Sequence, residues 1–181
     1  MKKLILALVI GSFLVGPAFA GLVDVHNAYK SRDYATAISE ADKVIAESLE
    51  NVTLYDKASA QRYKGLSLNI RGKYAEAIPE FDKVKNYPTE RYQNASAEYY
   101  KGCCYEHLKD TVKAQASFLK VLTDYPEIWQ VVSDALKKVN FVSMSDEEVQ
   151  TILGTILRVT PATEKEAEFL GRVKSELEKF K

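Results

Sequence analysis

Both cysteines of this chain, and one of its two histidines, lie within six residues, Gly102–His107, "GCCYEH". Thiols and an imidazole this close in sequence can form a metal site or a redox pair. On a helix, Cys103 and His107 would share one face because they are four positions apart. A structural zinc site needs about four protein ligands and a catalytic one about three, and no second cluster in the sequence supplies the others. We therefore expect no metal and no cofactor.

A disulfide between the two adjacent cysteines is also disfavoured. Neighbouring Cα atoms are about 3.8 Å apart across a trans peptide, whereas disulfides usually join Cα atoms roughly 4.4–6.8 Å apart. The remaining interpretation is one turn of a packed helix. In that helix we expect Cys104 to be a buried thiol, with Cys103 and His107 on the accessible side.

The elements that position this stretch belong to an internal repeat. Three segments align, at residues 26–45, 58–88 and 95–126. Corresponding positions recur at spacings of 40 and 37 residues, for example in two series, Ala37, Ala77 and Ala114, and Val44, Val84 and Val121. A period of about 20–50 residues indicates stacked structural repeats. Apolar residues at helical spacing, interrupted by short polar links, predict two antiparallel helices in each repeat.

The recurring residues resemble the tetratricopeptide repeat (TPR) over residues 23–126. In the first unit, Val25 and Ala41 stand where the pattern has a glycine and an aromatic residue. The matching residues of the other two units are Gly65, Tyr74, Ala77, Phe81 and Pro88, and Gly102, Tyr105, Ala114, Phe118 and Pro126. The "F-x-K-V" and Tyr-Pro endings are also loosely similar to bacterial envelope proteins such as the Tol-Pal-associated coordinator.

This resemblance implies a fold and a binding surface. The fold would be all-α, a TPR-like helical-hairpin solenoid of about three repeats with a C-terminal three-helix cap. The first helix of each TPR lines a concave groove that receives a peptide or a partner helix. Aligned on the glycine, the groove would be lined by His26, Tyr29, Lys30, Arg62, Leu66, Asn69, Ile70, Tyr99, Cys103, Glu106 and His107.

The two ends of the chain complete the organisation. Residues 1–20 have a basic start, an apolar run and the small-residue ending Ala18-Phe-Ala20, which together are typical of a secretory signal peptide. Residues 21–126 would hold the repeats and residues 127–181 the cap. In the cap, Ser145 and Glu148 form a predicted capping box, and Thr160-Pro161 is expected to open the final helix.

Composition and motifs restrict the classes of function that the chain can have. The chain has 25 basic and 25 acidic residues; without Lys2 and Lys3 the balance is 23 against 25, a net charge of −2. This gives no electrostatic reason to expect nucleic acid as a partner, and no motif of hydrolases, metalloproteases or nucleotide-binding enzymes is present. We expect a non-catalytic adaptor for a protein or peptide partner. After signal cleavage it would have no stable membrane span, and it would be exported, to the periplasm or beyond.

A second hypothesis remains open at this point. The chain could instead carry a small molecule or lipid for an envelope transporter. That function predicts a closed apolar cavity between the solenoid and the cap.

Overall fold

Within the residues that the structure describes, the chain forms six helices in three hairpins, followed by three further helices. The structure, a computed structural model, describes residues 17–88 and 90–180. The hairpins are α1 (Pro17–Lys30) with α2 (Tyr34–Ala46), α3 (Leu54–Ile70) with α4 (Tyr74–Val84), and α5 (Arg91–His107) with α6 (Thr111–Asp124). The cap contains α7 (Trp129–Leu136), α8 (Asp146–Leu157) and α9 (Glu164–Leu177), with 3-10 turns at Phe141–Ser143 and Glu178–Phe180. These elements confirm the all-α, TPR-like solenoid.

The predicted signal peptide lies largely outside the residues that the structure describes. Residues 1–16 are outside the described residues, and α1 starts at Pro17 and continues through the expected cleavage site after Ala20. The expected boundary after Pro126 lies in the link between α6 and α7.

Each hairpin is held by a complementary pair of small and large residues. A Cβ atom built on Gly65 would lie 2.7 Å from Phe81 Cε1, and one built on Gly102 would lie 2.6 Å from Phe118 Cε1. The missing side chains therefore make room for the phenylalanine rings of the second helices. At the aligned positions of the first hairpin, Val25 and Ala41 reverse the sizes, and both are fully buried in one cluster.

The turn inside each hairpin has the same backbone conformation. Arg32, Gly72 and Lys109, which align at spacings of 40 and 37, have φ angles of 65°, 75° and 64°. Only one of these three left-handed positions carries glycine. Asp33 and Asp110 follow directly and accept hydrogen bonds from the backbone N–H groups three residues later, so they cap α2 and α6.

An ion pair recurs between consecutive hairpins. Lys64 Nζ of α3 lies 2.7 Å from Asp42 Oδ1 of α2, and Lys101 Nζ of α5 lies 3.0 Å from Asp82 Oδ1 of α4. The aligned residue on α6 is Leu119, which packs instead against the C-terminal core cluster. We define this cluster by the buried residues of α6–α9 around Phe118, Leu122, Val132, Leu153 and Phe169.

The cap confirms one local expectation and corrects another. Ser145 and Glu148 form the predicted capping box at the start of α8. The final helix does not open at Thr160-Pro161. It begins at Glu164, because Thr163 and Glu166 form a second capping box that satisfies the free N–H groups there.

Candidate partner-binding surface

The first helices of the three hairpins form one continuous surface. Helices α1 and α3 contact each other directly, as do α3 and α5, and α5 also contacts α7. Within the described residues, the second helices α2, α4 and α6 do not pack closely against one another. The array therefore curves with the first helices on its inner side. We call the exposed side of α1, α3 and α5 the concave surface.

A cluster of polar aromatic residues lies on the concave surface between α1 and α3. His26 Nδ1 is 2.7 Å from the Tyr63 hydroxyl oxygen, within hydrogen-bonding distance. The Tyr29 ring packs 5.1 Å from the Tyr63 ring, and the Arg62 guanidinium lies 4.8 Å from the centre of the Tyr63 ring. Burial raises the pKa of Tyr29 above its usual value.

Arg62 also ties α3 to α5. Its Nε donates a hydrogen bond of 2.6 Å to Gln93 Oε1, and Gln93 Nε2 donates one of 3.0 Å to Ser59 Oγ. Gln93 is buried, so both ends of its amide are satisfied by side chains of α3. These bonds fix the Arg62 side chain at the edge of the surface and set the separation of the two helices.

An open pocket of about 220 Å³ lies beside this cluster. Its walls come from α1 and α3. The residues that line it are Leu22, Val23, His26, Tyr55, Ser59, Arg62 and Tyr63. The pocket therefore combines an apolar side, aromatic rings and one cation, a mixture that suits an apolar or aromatic side chain of a protein partner.

Three of the four predicted residues of the third hairpin, Tyr99, Cys103 and Glu106, lie on the side of α5 next to α7 and are only partly exposed. Tyr99 and Cys103 both pack against the C-terminal core cluster, and the Tyr99 ring lies 5.7 Å from that of Phe118. Glu106 Oε2 is 2.8 Å from Lys138 Nζ, just beyond the end of α7. These contacts place Tyr99, Cys103 and Glu106 at the junction of the array with the cap.

The two cysteines differ in environment. Burial raises the pKa of Cys103, although the hydrogen bond from Tyr99 and the charge of Lys138 act in the opposite direction. Cys104 has no solvent-exposed surface, and its burial raises its pKa to about 12. Both thiols are free. The structure thus places Cys104 inside the fold and Cys103 at its half-buried edge.

The prediction that Leu66 lines the groove is wrong, and several other predicted residues lie at the rim of the concave surface. Leu66 is only 5% exposed, because it belongs to a core cluster that is covered by Tyr29, Tyr63 and Tyr100. His107 is exposed and stacks on Tyr74, with the rings 4.3 Å apart and nearly parallel. The C-terminal ends of α1 and α3 carry the remaining predicted residues, Lys30, Asn69 and Ile70.

Sequence reasoning missed two exposed tyrosines of the concave surface. Tyr55 and Tyr92 lie in the first turns of α3 and α5, and each is 43% exposed. They are 37 residues apart, which is the spacing of the repeat itself. The alignment could have revealed them if it had been extended upstream of Ala58 and Ala95.

A second and larger pocket lies in the cap. Its volume is about 470 Å³, and it opens to solvent between α7, α8 and α9. The carrier hypothesis predicts a closed cavity between the solenoid and the cap, so this pocket differs from that expectation in both place and shape. We call it the cap pocket; its apolar lining consists of Leu136, Phe141, Leu153, Phe169, Val173 and Phe180.

Among residues 17–88 and 90–180, no three histidine, cysteine, aspartate or glutamate side chains lie close enough together to hold a metal ion. In the same ranges, no helix is both long and apolar enough to cross a membrane.

Comparison with known proteins finds a similarity to a known family in the third hairpin. A family model described as Tetratricopeptide repeat matches residues 96–127, which cover most of α5, all of α6 and the turn between them. The same comparisons find no similar curated protein and no similar solved structure. The third hairpin is thus similar to a family of protein-interaction repeats, and the aligned geometry of the first two hairpins extends that likeness along the array.

Proposed function

We propose that this protein is a non-catalytic adaptor that binds a protein or peptide partner on its concave surface in the bacterial cell envelope. The observation that carries the proposal is the pair of exposed, repeat-related tyrosines, Tyr55 and Tyr92, of which Tyr55 lines the pocket between α1 and α3. Tyrosine and arginine are enriched at the residues that dominate binding energy in protein interfaces. Tyr55, Tyr92 and the fixed side chain of Arg62 provide such anchors along one side of the array.

The surface favours a partner with apolar or aromatic side chains spaced along its length. Tyr55 and Tyr92 start adjacent first helices, so they lie side by side across the array. Their half-exposed rings gain burial when a partner lies over them, and their hydroxyls can still hydrogen-bond at the rim. A peptide or a partner helix that crosses α3 and α5 would contact both rings.

Export is part of the proposal and rests on residues 1–20. Cleavage after Ala20 would leave Gly21 as the first residue. Leu22 and Val25, which pack in the first hairpin, would be retained. Sequencing the N-terminus of the protein recovered from a periplasmic fraction tests this step. A mature chain beginning at Gly21 is expected, and an intact Met1 would contradict it.

Crosslinking in cells, followed by mass spectrometry, tests the adaptor function. The wild-type protein should yield a crosslinked partner through the concave surface, and the double variant Tyr55→Ala/Tyr92→Ala should lose most of that yield. Val142→Ala serves as the control, because Val142 is 95% exposed on the cap. Equal yields from all three proteins would overturn the assignment to the concave surface.

A carrier of a small molecule or lipid for an envelope transporter is the alternative function. That function predicts a closed cavity between the solenoid and the cap, whereas the cap pocket is open to solvent and lies between α7, α8 and α9. The adaptor is therefore the function that the geometry supports best.

A further inference from the structure

The apolar lining of the cap pocket is unexpected at the end of a solenoid. The end of a solenoid normally presents a polar outer face to water. Here three phenylalanine rings, from Phe141, Phe169 and Phe180, line an opening to solvent. Pockets for small ligands commonly have volumes of roughly 300–1,000 Å³ and mostly apolar walls, and the cap pocket, at about 470 Å³, falls in that range.

The charges at the mouth of the pocket do not balance. Lys137 is paired with Asp134 at 2.8 Å, and Glu176 accepts hydrogen bonds of 2.7 and 2.8 Å from Lys179. Arg172 also lines the pocket, and it has no hydrogen bond or ion pair within residues 17–88 and 90–180. Among the described residues that line the pocket, the uncompensated charge is therefore positive and belongs to a guanidinium group.

We infer that the cap pocket binds an amphiphile with an apolar chain and a carboxylate head. The chain would lie against the phenylalanine rings and Leu153, which places the carboxylate at the mouth beside Arg172. A guanidinium group matches a carboxylate well, because its parallel N–H groups can donate two hydrogen bonds to the two oxygens. This site is separate from the concave surface, so it goes beyond the proposed adaptor function and does not depend on it.

A fluorescence titration with sodium dodecanoate tests the inference. Trp129 is the only tryptophan of the chain, and its ring lies 6.4 Å from that of Phe169. Below the concentration at which dodecanoate aggregates, its addition should change the Trp129 emission in a saturable way. Ser133→Phe, which places a ring in the pocket from α7, should abolish the change, and sodium acetate should produce none. A wild-type protein with no saturable response would overturn the inference.

A second pair of variants tests the role of the charge. Arg172→Gln should weaken dodecanoate binding by about tenfold, the effect of losing one charged hydrogen-bonding partner near solvent. Arg158→Gln is the matched control, because Arg158 is exposed at the end of α8 and does not line the pocket. Dodecanol should bind both variants equally. If Arg172→Gln leaves dodecanoate affinity unchanged, or if dodecyltrimethylammonium binds as tightly as dodecanoate, the carboxylate specificity is wrong.

Discussion

Gly65 and Phe81 fill the same part of the second hairpin that Val25 and Ala41 fill in the first. In both cases one small and one large side chain meet where two helices approach closely. The larger residue of the pair lies on the second helix in one hairpin and on the first helix in the other. The identity of either residue therefore depends on its partner more than on its own helix.

This dependence predicts a strong coupling between the two positions. Gly65→Val should destabilise the fold by about 1–3 kcal/mol, the usual cost of overpacking, and Phe81→Ala by about 3–5 kcal/mol through a cavity. The double variant should be more stable than the sum of these effects by about 0.5–3 kcal/mol. Urea unfolding of the four proteins measures this difference.

Gly154→Val provides the control, since a Cβ at Gly154 meets no atom within 4 Å. It should not couple to Phe81→Ala. Strict additivity of Gly65→Val and Phe81→Ala would mean that the two residues do not share one volume.

The two adjacent thiols predict different reactivity towards iodoacetamide. The thiolate is the reactive form, and Cys104 is fully buried with a pKa of about 12, so it should not be labelled in the folded protein. Cys103 should be labelled slowly at neutral pH, because burial raises its pKa, and faster as the pH rises. Tyr99→Phe should slow this labelling, since the hydrogen bond from Tyr99 lowers the pKa of Cys103.

Peptide-level mass spectrometry distinguishes the two neighbours. Denatured protein, in which both cysteines should react, is the control. Equal labelling of both cysteines in the folded state would contradict the arrangement of α5.

At the scale of the elements, the hairpin turns show that a backbone conformation can repeat without its preferred residue. Arg32, Gly72 and Lys109 all have positive φ angles, yet two of them carry side chains. A residue other than glycine costs roughly 1–2 kcal/mol in the left-handed conformation. The first and third turns tolerate this cost, and each has an aspartate cap immediately afterwards that the second turn lacks.

The same substitution should therefore have opposite effects in a turn and in a helix. Gly72→Ala should destabilise the protein by about 1 kcal/mol, because alanine resists a φ of 75°. Gly154→Ala, inside α8, should stabilise it by roughly 0.5–1 kcal/mol through its higher helix propensity. Thermal unfolding measures both, and a stabilising Gly72→Ala would contradict the left-handed turn.

The sequence was most informative about helix pairs and least informative about which residues stay exposed. Recurring alanines and phenylalanines predicted the hairpins, because close packing of two helices restricts residue size locally. Leu66 could not be assigned from its helix position, since it is buried in a core cluster to which residues of several helices contribute. The start of α9 was predicted at Thr160-Pro161 because the proline is a visible signal for a helix start. Thr163 and Glu166 form a capping box that provides a competing start, and the helix begins there.

At the scale of the whole molecule, charged side chains connect successive hairpins. Lys64 of α3 contacts Asp42 of α2 at 2.7 Å and Glu80 of α4 at 3.4 Å, so it joins two hairpins. Glu80 is buried, and it also accepts hydrogen bonds from Lys83 and Gln61. Burial alone would raise the pKa of Glu80, but Lys83 and Lys64 bring it below its usual value.

This lowered pKa predicts a loss of stability in acid. A carboxyl group whose pKa is lower in the folded state stabilises the fold above its unfolded pKa, near 4.5, and loses that contribution as the pH falls through its folded pKa. Glu80→Gln should therefore reduce the fall in melting temperature below about pH 4.5. Glu76→Gln, on the exposed side of α4, is the control. An unchanged acid profile in Glu80→Gln would show that Glu80 does not contribute.

The ion pair between hairpins also determines where such an array can grow. A duplicated second hairpin would present aspartate at the Asp82 position on one side and lysine at the Lys64 position on the other, so an extra copy could be inserted in the middle without a new interface. After α6, Leu119 replaces the aspartate and packs into the C-terminal core cluster. Changing the length of this protein by gene duplication or by design is therefore simplest between α2 and α5, and an added hairpin after α6 would need a different first helix.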